Sequence, residues 1–428
     1  YVEIMKADAK NIFVGYETLE SEGQIINILK DGQLAEEIHE NEEGEIFFDN
    51  TPFYAESGGQ TDDEGLVESL SGRAKVLEVK KIKSDLFSHR IKMTTGQFKT
   101  KDTVRLIVDR EKRKGISRNH TATHLLHFAL RQVLGEHVKQ SGSLVEKDRF
   151  RFDFSHFHAM DDAEIAKVED IVNEKIMECT DIAIDVMTKD DAIKEGATAL
   201  FEEKYGETVR VVRIGDYSAE LCGGTHVRNT GEIGSFYITS ESSLAYGVRR
   251  IEAVTGKSAV FYNRTNKDIL NDISRFTNTE VGRIHERIET IIRDLQEKDR
   301  TLERLKGEIT AGKVDAAIEA AYEHDGVKVV TMLIEQAKAE DLRKITDIIR
   351  SRMKSCIAVV GSKDDEKGLI VIAVSKDIQG RYSAGKIIKG LAEKYNGKGG
   401  GGPQIAQGGV PGEMLGEAIK GVKDILMS

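Results

Sequence analysis

The sequence predicts a multi-domain α+β protein: an N-terminal β-barrel, an α+β domain, a helical coiled-coil segment and a C-terminal α/β domain. Three observations carry this. Short apolar runs separated by Gly, Asn and Asp recur about every ten residues through the first hundred, the spacing of a small barrel or sandwich. From Gly115 the periodicity turns helical. From Val281 apolar residues step by three, four or seven, and after Asp325 strand and helix runs alternate. At 428 residues, 39% of them hydrophobic, the chain is too long for one ordinary domain and apolar enough to fill several cores.

The elements follow in order. The runs IFVGY, QIINIL, EIFFD, GLVESL, AKVLEV and HRIKM read as strands of the barrel, residues 1–110. In HTATHLLHFALRQVL, Leu125, Leu126, Ala129, Leu130, Val133 and Leu134 share one broad face of a helix. FRFDFSHF alternates, with Phe150, Phe152 and Phe154 on one side of a strand. A charged helix over roughly 161–179 follows, then the strands VRVVRI and SFYITS, completing an α+β domain over 111–260. Val281, Ile284, Ile288, Ile291, Leu295, Leu302, Leu305 and Ile309 form a heptad seam flanked by charges and interrupted near Lys298 and Asp299. It lies in a helical segment, 261–322, that reads as a hairpin or dimerising coil, or as an amphipathic helix packed on its own domain. Residues 323–428 alternate strands (VKVVTMLI, CIAVVG, LIVIAVS) with helices, as βαβ units do, and KGGGGP punctuates them.

Composition narrows the function classes. No stretch approaches the ~20 apolar residues of a membrane span, and YVEIMKADAK holds no apolar signal core. Cys179, Cys222 and Cys356 are too few and too scattered for a disulfide framework, which suits a reducing cytosol. A chain beginning at Tyr1 reads as the downstream part of something longer. The net charge of −11 disfavours a generally nucleic-acid-binding surface. Yet Lys101–Arg118 holds seven Lys/Arg against three Asp/Glu, and Lys376–Lys398 six against two. Each cluster reads either as a solvated face or as a local footprint for a polyanion.

ELCGGTHV sets Cys222 and His226 around two glycines, and His120 and His124, four apart, project from one face of a helical turn. Together they make a Cys/His₃ set that zinc accepts. Either pair alone is weak, since an i,i+4 histidine pair serves packing as readily, and His127, one turn on, has no sequence partner. The conjunction is stronger, because both pairs sit in one domain and Gly223 and Gly224 let the loop wrap closely. Thr121 and Ala122 follow His120, so the glutamate of H-E-x-x-H is absent and a metalloprotease helix is excluded.

HTATHLLH, QSGSLV, RFDFSH, ELCGGTHV, TGEIGSFYI and GVRRIEAVTG, in this order, resemble the editing domain of the alanyl-tRNA synthetase family. FVGY and NTPFYAESGGQTDDEG resemble the barrel preceding that domain, and the helical and glycine-rich C-terminal parts resemble the family's dimerisation and tRNA-binding region. The resemblance spans essentially the whole chain, with no class II aminoacylation core and no ATP-binding motif in it. It implies hydrolysis of the ester joining serine or glycine to tRNA(Ala), one zinc ion per chain on His120, His124, Cys222 and His226, a cytoplasmic location and a homodimer formed through the C-terminal region. It also implies that Thr121 senses the serine hydroxyl, that Gly58, Gly59 and Gln60 face the pocket, and that Asp63 stands at an acidic position of the motif. Arg249 and Arg250 would meet the terminal phosphates or adenosine, and Gly399, Gly400, Gly401 and Gly402, with Lys398 and Arg381, would approach RNA phosphate.

Plainer roles stand beside these: Thr121 as a helix-start cap, S-G-G-Q as a tight turn, the strand arginines as solvated groups and the glycine run as a surface loop. Asp62, where the family commonly has glycine, and the G-P-Q ending of the glycine run depart from its pattern. No carboxylate reads as a general base. Two other readings follow from the same residues: a free-standing trans-editing deacylase, and a non-catalytic zinc-stabilised module for tRNA binding and dimerisation. A DHH phosphodiesterase is disfavoured by the lack of a D-H-H motif.

Overall fold

The computed structural model describes residues 11–83, 86–198, 206–364 and 367–427; YVEIMKADAK lies outside them. The chain divides into two compact units, Tyr1–Asp272 and Ile273–Ser428. The barrel and the α+β segment share the first unit, and the seam and the C-terminal α/β segment belong to the second.

Six of the eight strands in the first sheet form a closed antiparallel ladder, β1 (Glu20–Lys30), β2 (Glu43–Phe48), β3 (Gly65–Glu68), β4 (Gly72–Lys83), β5 (Leu86–Lys99) and β6 (Thr103–Val108). The ladder β6-β3-β4-β5-β2-β1 closes because β6 pairs with both β3 and β1, with Leu106 opposite Val67 on one side and Ser21 on the other. Closure abolishes the sheet edges. The interior is filled by Ile25, Ile46, Phe48, Phe53, Ile91, Phe98 and their neighbours.

Helix α1 (Arg110–Leu134) starts five residues before the reading from Gly115, because Asp109 caps it by accepting from the Lys112 N–H at 2.9 Å. Gly115 is an interior helical residue instead, and a Cβ there would lie 2.5 Å from the Lys147 carbonyl oxygen. Thr121 is consequently a mid-helix residue and not a cap. Strands β7 (Gln140–Val145) and β8 (Phe150–Ser155), helix α2 (Asp162–Met177), strands β9 (Ile182–Thr188), β10 (Thr208–Ile214), β11 (Ser218–Leu221), β12 (Phe236–Ala245) and β13 (Val248–Thr255) complete the α+β part. They form a four-stranded sheet, β7-β8-β13-β12, and a three-stranded one, β9-β10-β11. Phe150, Phe152 and Phe154 are fully buried against Leu125, Leu126, Ala129 and Leu130 of α1. A capping box between Asp161 and Glu164 starts α2.

The barrel loop between β2 and β3 reaches across to this sheet. Gly58 and Gly59 both have positive φ, 61° and 85°, and Ser57 and Gln60 exchange backbone hydrogen bonds at 3.0 and 3.2 Å. That is the tight turn the sequence allows. Val145 N–H then donates to Gly59 O at 2.7 Å, and Thr61 N–H to Val145 O at 3.0 Å, so the turn adds to the free edge of β7.

Helix α3 (Gly256–Thr277) leads to the second unit, where α4 (Ile284–Glu319) carries the heptad seam. Leu295, Leu302 and Ile309 are more than half exposed, so the seam is unpartnered within one chain. Strands β14 (Tyr322–His324), β15 (Val327–Glu335), β16 (Cys356–Asp364), β17 (Lys367–Val374), β18 (Lys398–Gly401) and β19 (Ile405–Pro411) form a sheet in the order β14-β15-β16-β17-β19-β18. Only β15 and β16, joined through α5 (Ala339–Arg352), pair in parallel, so one βαβ unit is present and the remaining pairings are antiparallel. Val314 and α5 cover one face, and α6 (Ala384–Lys394) with the C-terminal turns covers the other. The glycine run is an edge strand and not a loop: a Cβ on Gly399 would come within 2.9 Å of both Gly408 Cα and Ile388, so only glycine lets β18 pass beneath α6. Among the described residues no helix is long and apolar enough to cross a membrane.

His89 makes the barrel sensitive to acid. It is fully buried; its Nδ1 lies 3.2 Å from Ile46 O and its Nε2 2.8 Å from Thr51 Oγ1. Burial lowers its pKa from 6.5 to about 4. The folded barrel thus binds the proton less tightly than the unfolded chain, and this residue's contribution is complete above pH 6.5 and is lost as pH falls toward 4. Urea unfolding of the first unit should show a loss of about 2 kcal/mol between pH 6.5 and pH 5 attributable to His89, at about 1.4 kcal/mol per pH unit. His89→Gln should lower stability at neutral pH and flatten that slope; an unchanged slope would contradict the assignment.

Candidate metal centre and active site

Helix α1 contributes His120 and His124, whose rings stack with centroids 5.5 Å apart. The segment after β11 brings Cys222 and His226 against them. Cys222 Sγ lies 3.2 Å from His120 Nε2 and 3.3 Å from His226 Nε2, and all four ligand atoms fall within 4.8 Å of one another. Ligand atoms around a tetrahedral zinc ion, with bonds of about 2.0–2.3 Å, stand about 3.5 Å apart.

Each imidazole is held by its other nitrogen. His120 Nδ1 is 2.7 Å from Gln60 Oε1, His226 Nδ1 is 3.1 Å from Thr121 Oγ1, and His124 Nδ1 contacts the Glu220 carboxylate. Thr121 donates its own hydroxyl proton to Ser117 O at 3.0 Å, so its oxygen is left to accept from His226 Nδ1–H. Gln60 is fully buried: its Oε1 also accepts from Thr225 N–H at 2.8 Å and its Nε2 donates to Thr225 Oγ1 at 3.0 Å. These contacts fix the tautomers that turn the three Nε2 lone pairs inward. His124 Nε2 is buried without a hydrogen-bond partner, an orphaned acceptor of the kind a metal ion satisfies.

Electrostatics agree with the donor set. Burial alone would raise the Cys222 thiol, but the facing His120 and His226 rings hold it well below its ordinary value. Burial likewise opposes the charge on Glu220, yet His124 and His127 keep its pKa down to about 2. Burial would lower His124, while Glu220 and Cys222 lift it to about 10; burial dominates at His226 and lowers it to about 3. A thiolate set against three imidazole nitrogens suits a divalent cation. The residues fit zinc.

The Cys222–Gly224 loop is clamped from both sides. Tyr16, from the barrel, donates to Gly223 O at 2.6 Å, and Arg210 donates to Cys222 O and Gly224 O at 3.2 and 2.8 Å while its guanidinium lies 4.2 Å over the Tyr16 ring. A cavity of about 330 Å³ opens against His120, His124 and Cys222. Its walls carry Ser57, Gly58, Thr123, Gln140, Ser143 and Arg210. Thr123 donates to Asn119 O at 2.8 Å, which leaves its oxygen lone pairs available.

Several expected residues sit elsewhere. Thr121 and Gln60 orient ligands and do not line the cavity. Gly59 bears on Ser143, where a Cβ would lie 2.4 Å from its Oγ. Asp63 is fully buried, paired with Arg113 and accepting from Tyr54 N–H at 2.8 Å, so it ties the barrel loop to α1. Arg249 is paired with Glu241 and Arg250 with Asp153, and neither lines the cavity. In the second unit Arg381 is exposed and lies beside Tyr382 and Asp325, while Lys398, Gly399, Gly400 and Gly401 form the exposed edge strand followed by Gly402. Sequence reasoning missed Glu220, Tyr16, Arg210, Thr123 and Gln140. Glu220 was within reach: strand alternation puts it on the same side as Cys222.

Residues 209–252, which hold this loop, match the threonyl and alanyl tRNA synthetase second additional domain. Residues 1–112 match tRNA synthetases class II (A), over the segment seen here as the barrel, and residues 325–428 match the DHHA1 domain. The barrel and the segment holding the Cys222 loop are thus similar to parts of aminoacyl-tRNA synthetases. Alanine--tRNA ligases of Thermoanaerobacter sp. (strain X514) and Carboxydothermus hydrogenoformans are 43% and 44% identical over 94% and 95% of this chain, covering 46% and 47% of their own lengths. The C-Ala domain of Aquifex aeolicus alanyl-tRNA synthetase, a crystal structure, is 29% identical with a TM-score of 0.24, over 25% of this chain and 98% of that one. Over nearly its whole length the chain is similar to alanyl-tRNA synthetases, to their C-terminal half, and it spans about half the length of the curated relatives it matches.

If Cys222 is a ligand, elemental analysis should find about one zinc per chain. Cys222→Ala should lower that content sharply while Cys179→Ala leaves it unchanged, since Cys179 is exposed and outside the cluster. Equal loss in both variants would remove Cys222 from the ligand set.

Proposed function

We propose that this site hydrolyses the ester joining serine or glycine to tRNA(Ala), with one zinc ion held by His120, His124, Cys222 and His226. The observation that carries the reading is the juxtaposition of the four-residue cluster with a cavity walled by hydroxyl and amide groups. Bound zinc would supply positive charge beside the ester or its amino group. The chain's own residues do the rest. Gln60, Thr121 and Glu220 hold the imidazoles in register, and the clamp on the Cys222 loop keeps the cavity wall rigid. Ser57, Thr123, Gln140 and Ser143 give the cavity a polar lining that can bind a hydroxyl instead of merely tolerating it.

Such a second site answers a physical limit. A pocket built for alanine cannot exclude the smaller glycine by size, and rejecting one added hydroxyl by sterics yields only ~10²-fold discrimination. A cavity that hydrogen-bonds the hydroxyl converts that weakness into recognition. The reading places the protein in the cytosol with charged tRNA as its partner. It also makes the chain a homodimer through the second unit, where the exposed seam of α4 supports pairing.

Incubation with serine-, glycine- and alanine-charged tRNA(Ala) tests the reaction: the first two should be deacylated and the third spared, and equal or absent hydrolysis of all three would sink it. Thr123→Val removes the hydroxyl of this cavity-lining residue while keeping its shape and the ligands. It should slow serine release roughly ten- to a hundredfold, the worth of one hydrogen bond to a buried polar group, and glycine release much less. Thr121→Val should instead lower zinc affinity and slow both substrates together; the opposite pattern would return selectivity to Thr121.

For the dimer, Leu302→Asp with Leu305→Asp should halve the mass in light scattering. A parent chain that already scatters as a monomer, or a variant of unchanged mass, would refute pairing through the seam.

A further inference from the structure

A second, larger cleft of about 780 Å³ lies against the same cluster, with Thr225 and His226 in its wall. Its charge is one-sided. Arg110, Arg113, Lys114 and Arg118 of α1, Arg210 of β10 and Arg228 just after His226 line it, against the carboxylates Glu17 and Glu232. Some of these cations are committed. Arg113 is buried on Asp63, Arg210 holds the Cys222 loop, and Arg118 donates through Nε to Glu232 O at 2.8 Å. Arg110, Lys114 and Arg228 are exposed and form no ion pair or side-chain hydrogen bond among the described residues.

The basic cluster of Lys101–Arg118 is resolved by this geometry. Arg105 pairs with Glu20, Lys112 with Glu64 and Arg113 with Asp63, all within the fold. Besides Lys101 in the β5–β6 turn, what remains without a carboxylate partner is a ladder, Arg110, Lys114 and Arg118, at i, i+4 and i+8 on one face of α1. Its rungs rise about 6 Å each along the helix axis, which suits successive phosphates of a nucleic-acid strand. Like charges at this spacing repel one another, and the nearest helix acid, Glu111, is turned to Lys257. Ile182 and Ile184 add apolar surface to the cleft. A ladder of like charges without carboxylate partners beside a reaction site is the arrangement expected where an external polyanion completes the electrostatics.

We propose that this cleft binds the phosphodiester backbone of the RNA strand whose 3′ end enters the neighbouring cavity, with Arg110, Lys114 and Arg228 each contacting a phosphate. This rests on the reading of the cluster as an aminoacyl-RNA hydrolase, but its test does not use that activity. The probe is an uncharged RNA hairpin, an acceptor-type helix with a single-stranded 3′ end, titrated by fluorescence anisotropy against the full chain at several salt concentrations. Neutralising the three cations together (Arg110→Gln, Lys114→Gln, Arg228→Gln) should reduce the slope of log K against log salt by about 2–3, since each phosphate contact contributes about 0.7–0.9. Affinity at low salt should fall at least tenfold. Arg110→Lys with Arg228→Lys keeps the charge count and should keep the slope. A control with the same charge change on exposed barrel lysines outside the cleft (Lys75→Gln, Lys92→Gln, Lys99→Gln) should leave the slope near that of the parent. An unchanged slope in the cleft variant, or an equal fall in the barrel control, would overturn the proposal. Loss of binding in a chain that hydrolyses no charged tRNA would leave the cleft standing and remove the hydrolase reading instead.

Discussion

Everything in the first unit that bears on chemistry depends on the anchoring of three imidazole Nδ1 atoms. An imidazole free to rotate or to change tautomer offers a metal a different nitrogen at each moment. Here Gln60, Thr121 and Glu220 each take one Nδ1, and the three Nε2 atoms are left converging beside the Cys222 thiolate. The anchors come from three parts of the chain: the barrel loop, the ligand helix itself and the strand before the cysteine. A metal site assembled this way reports on the integrity of the whole unit, because displacing any one of these elements releases a ligand.

That dependence explains the barrel. A closed six-stranded barrel has no edge to lend, but its β2–β3 loop does, and the paired glycines let that loop turn tightly enough to join β7. Asp63, four residues past Gly59, locks the same loop to Arg113 at the start of α1. The motif therefore serves three connected ends. Its turn builds a sheet edge, its carboxylate fixes the helix, and its glutamine holds a ligand. Tyr54, Ser57 and Gly58 reach the cavity.

The clustering of His120, His124, Cys222 and His226 was legible in the sequence because it obeys two local rules, an i,i+4 pair on a helix and a short glycine loop between Cys222 and His226. The barrel, the phenylalanine strand and the seam were legible for the same reason: each is a periodicity. Roles that depend on which element faces which were not. Thr121 and Thr123 lie about 80° on either side of the direction His120 and His124 share, from a 3.6-residue turn, so periodicity could not choose between ligand support and cavity wall. Arg249 and Arg250 looked available because their partners are cross-strand neighbours, with Asp153 opposite Arg250, and register is invisible before the sheet is built. The glycine run looked like a loop because glycine signals flexibility in a sequence, whereas its use here is to let β18 pass close under α6.

The central claim is that His120, His124, Cys222 and His226 form one metal centre whose geometry is set by its supporting hydrogen bonds. X-ray absorption at the zinc edge tests it most directly. The account predicts a four-coordinate shell with one sulfur at about 2.3 Å and three nitrogens at about 2.0–2.1 Å, and loss of the sulfur in Cys222→Ala. A shell of oxygen atoms, or a sulfur distance that survives in that variant, would contradict it.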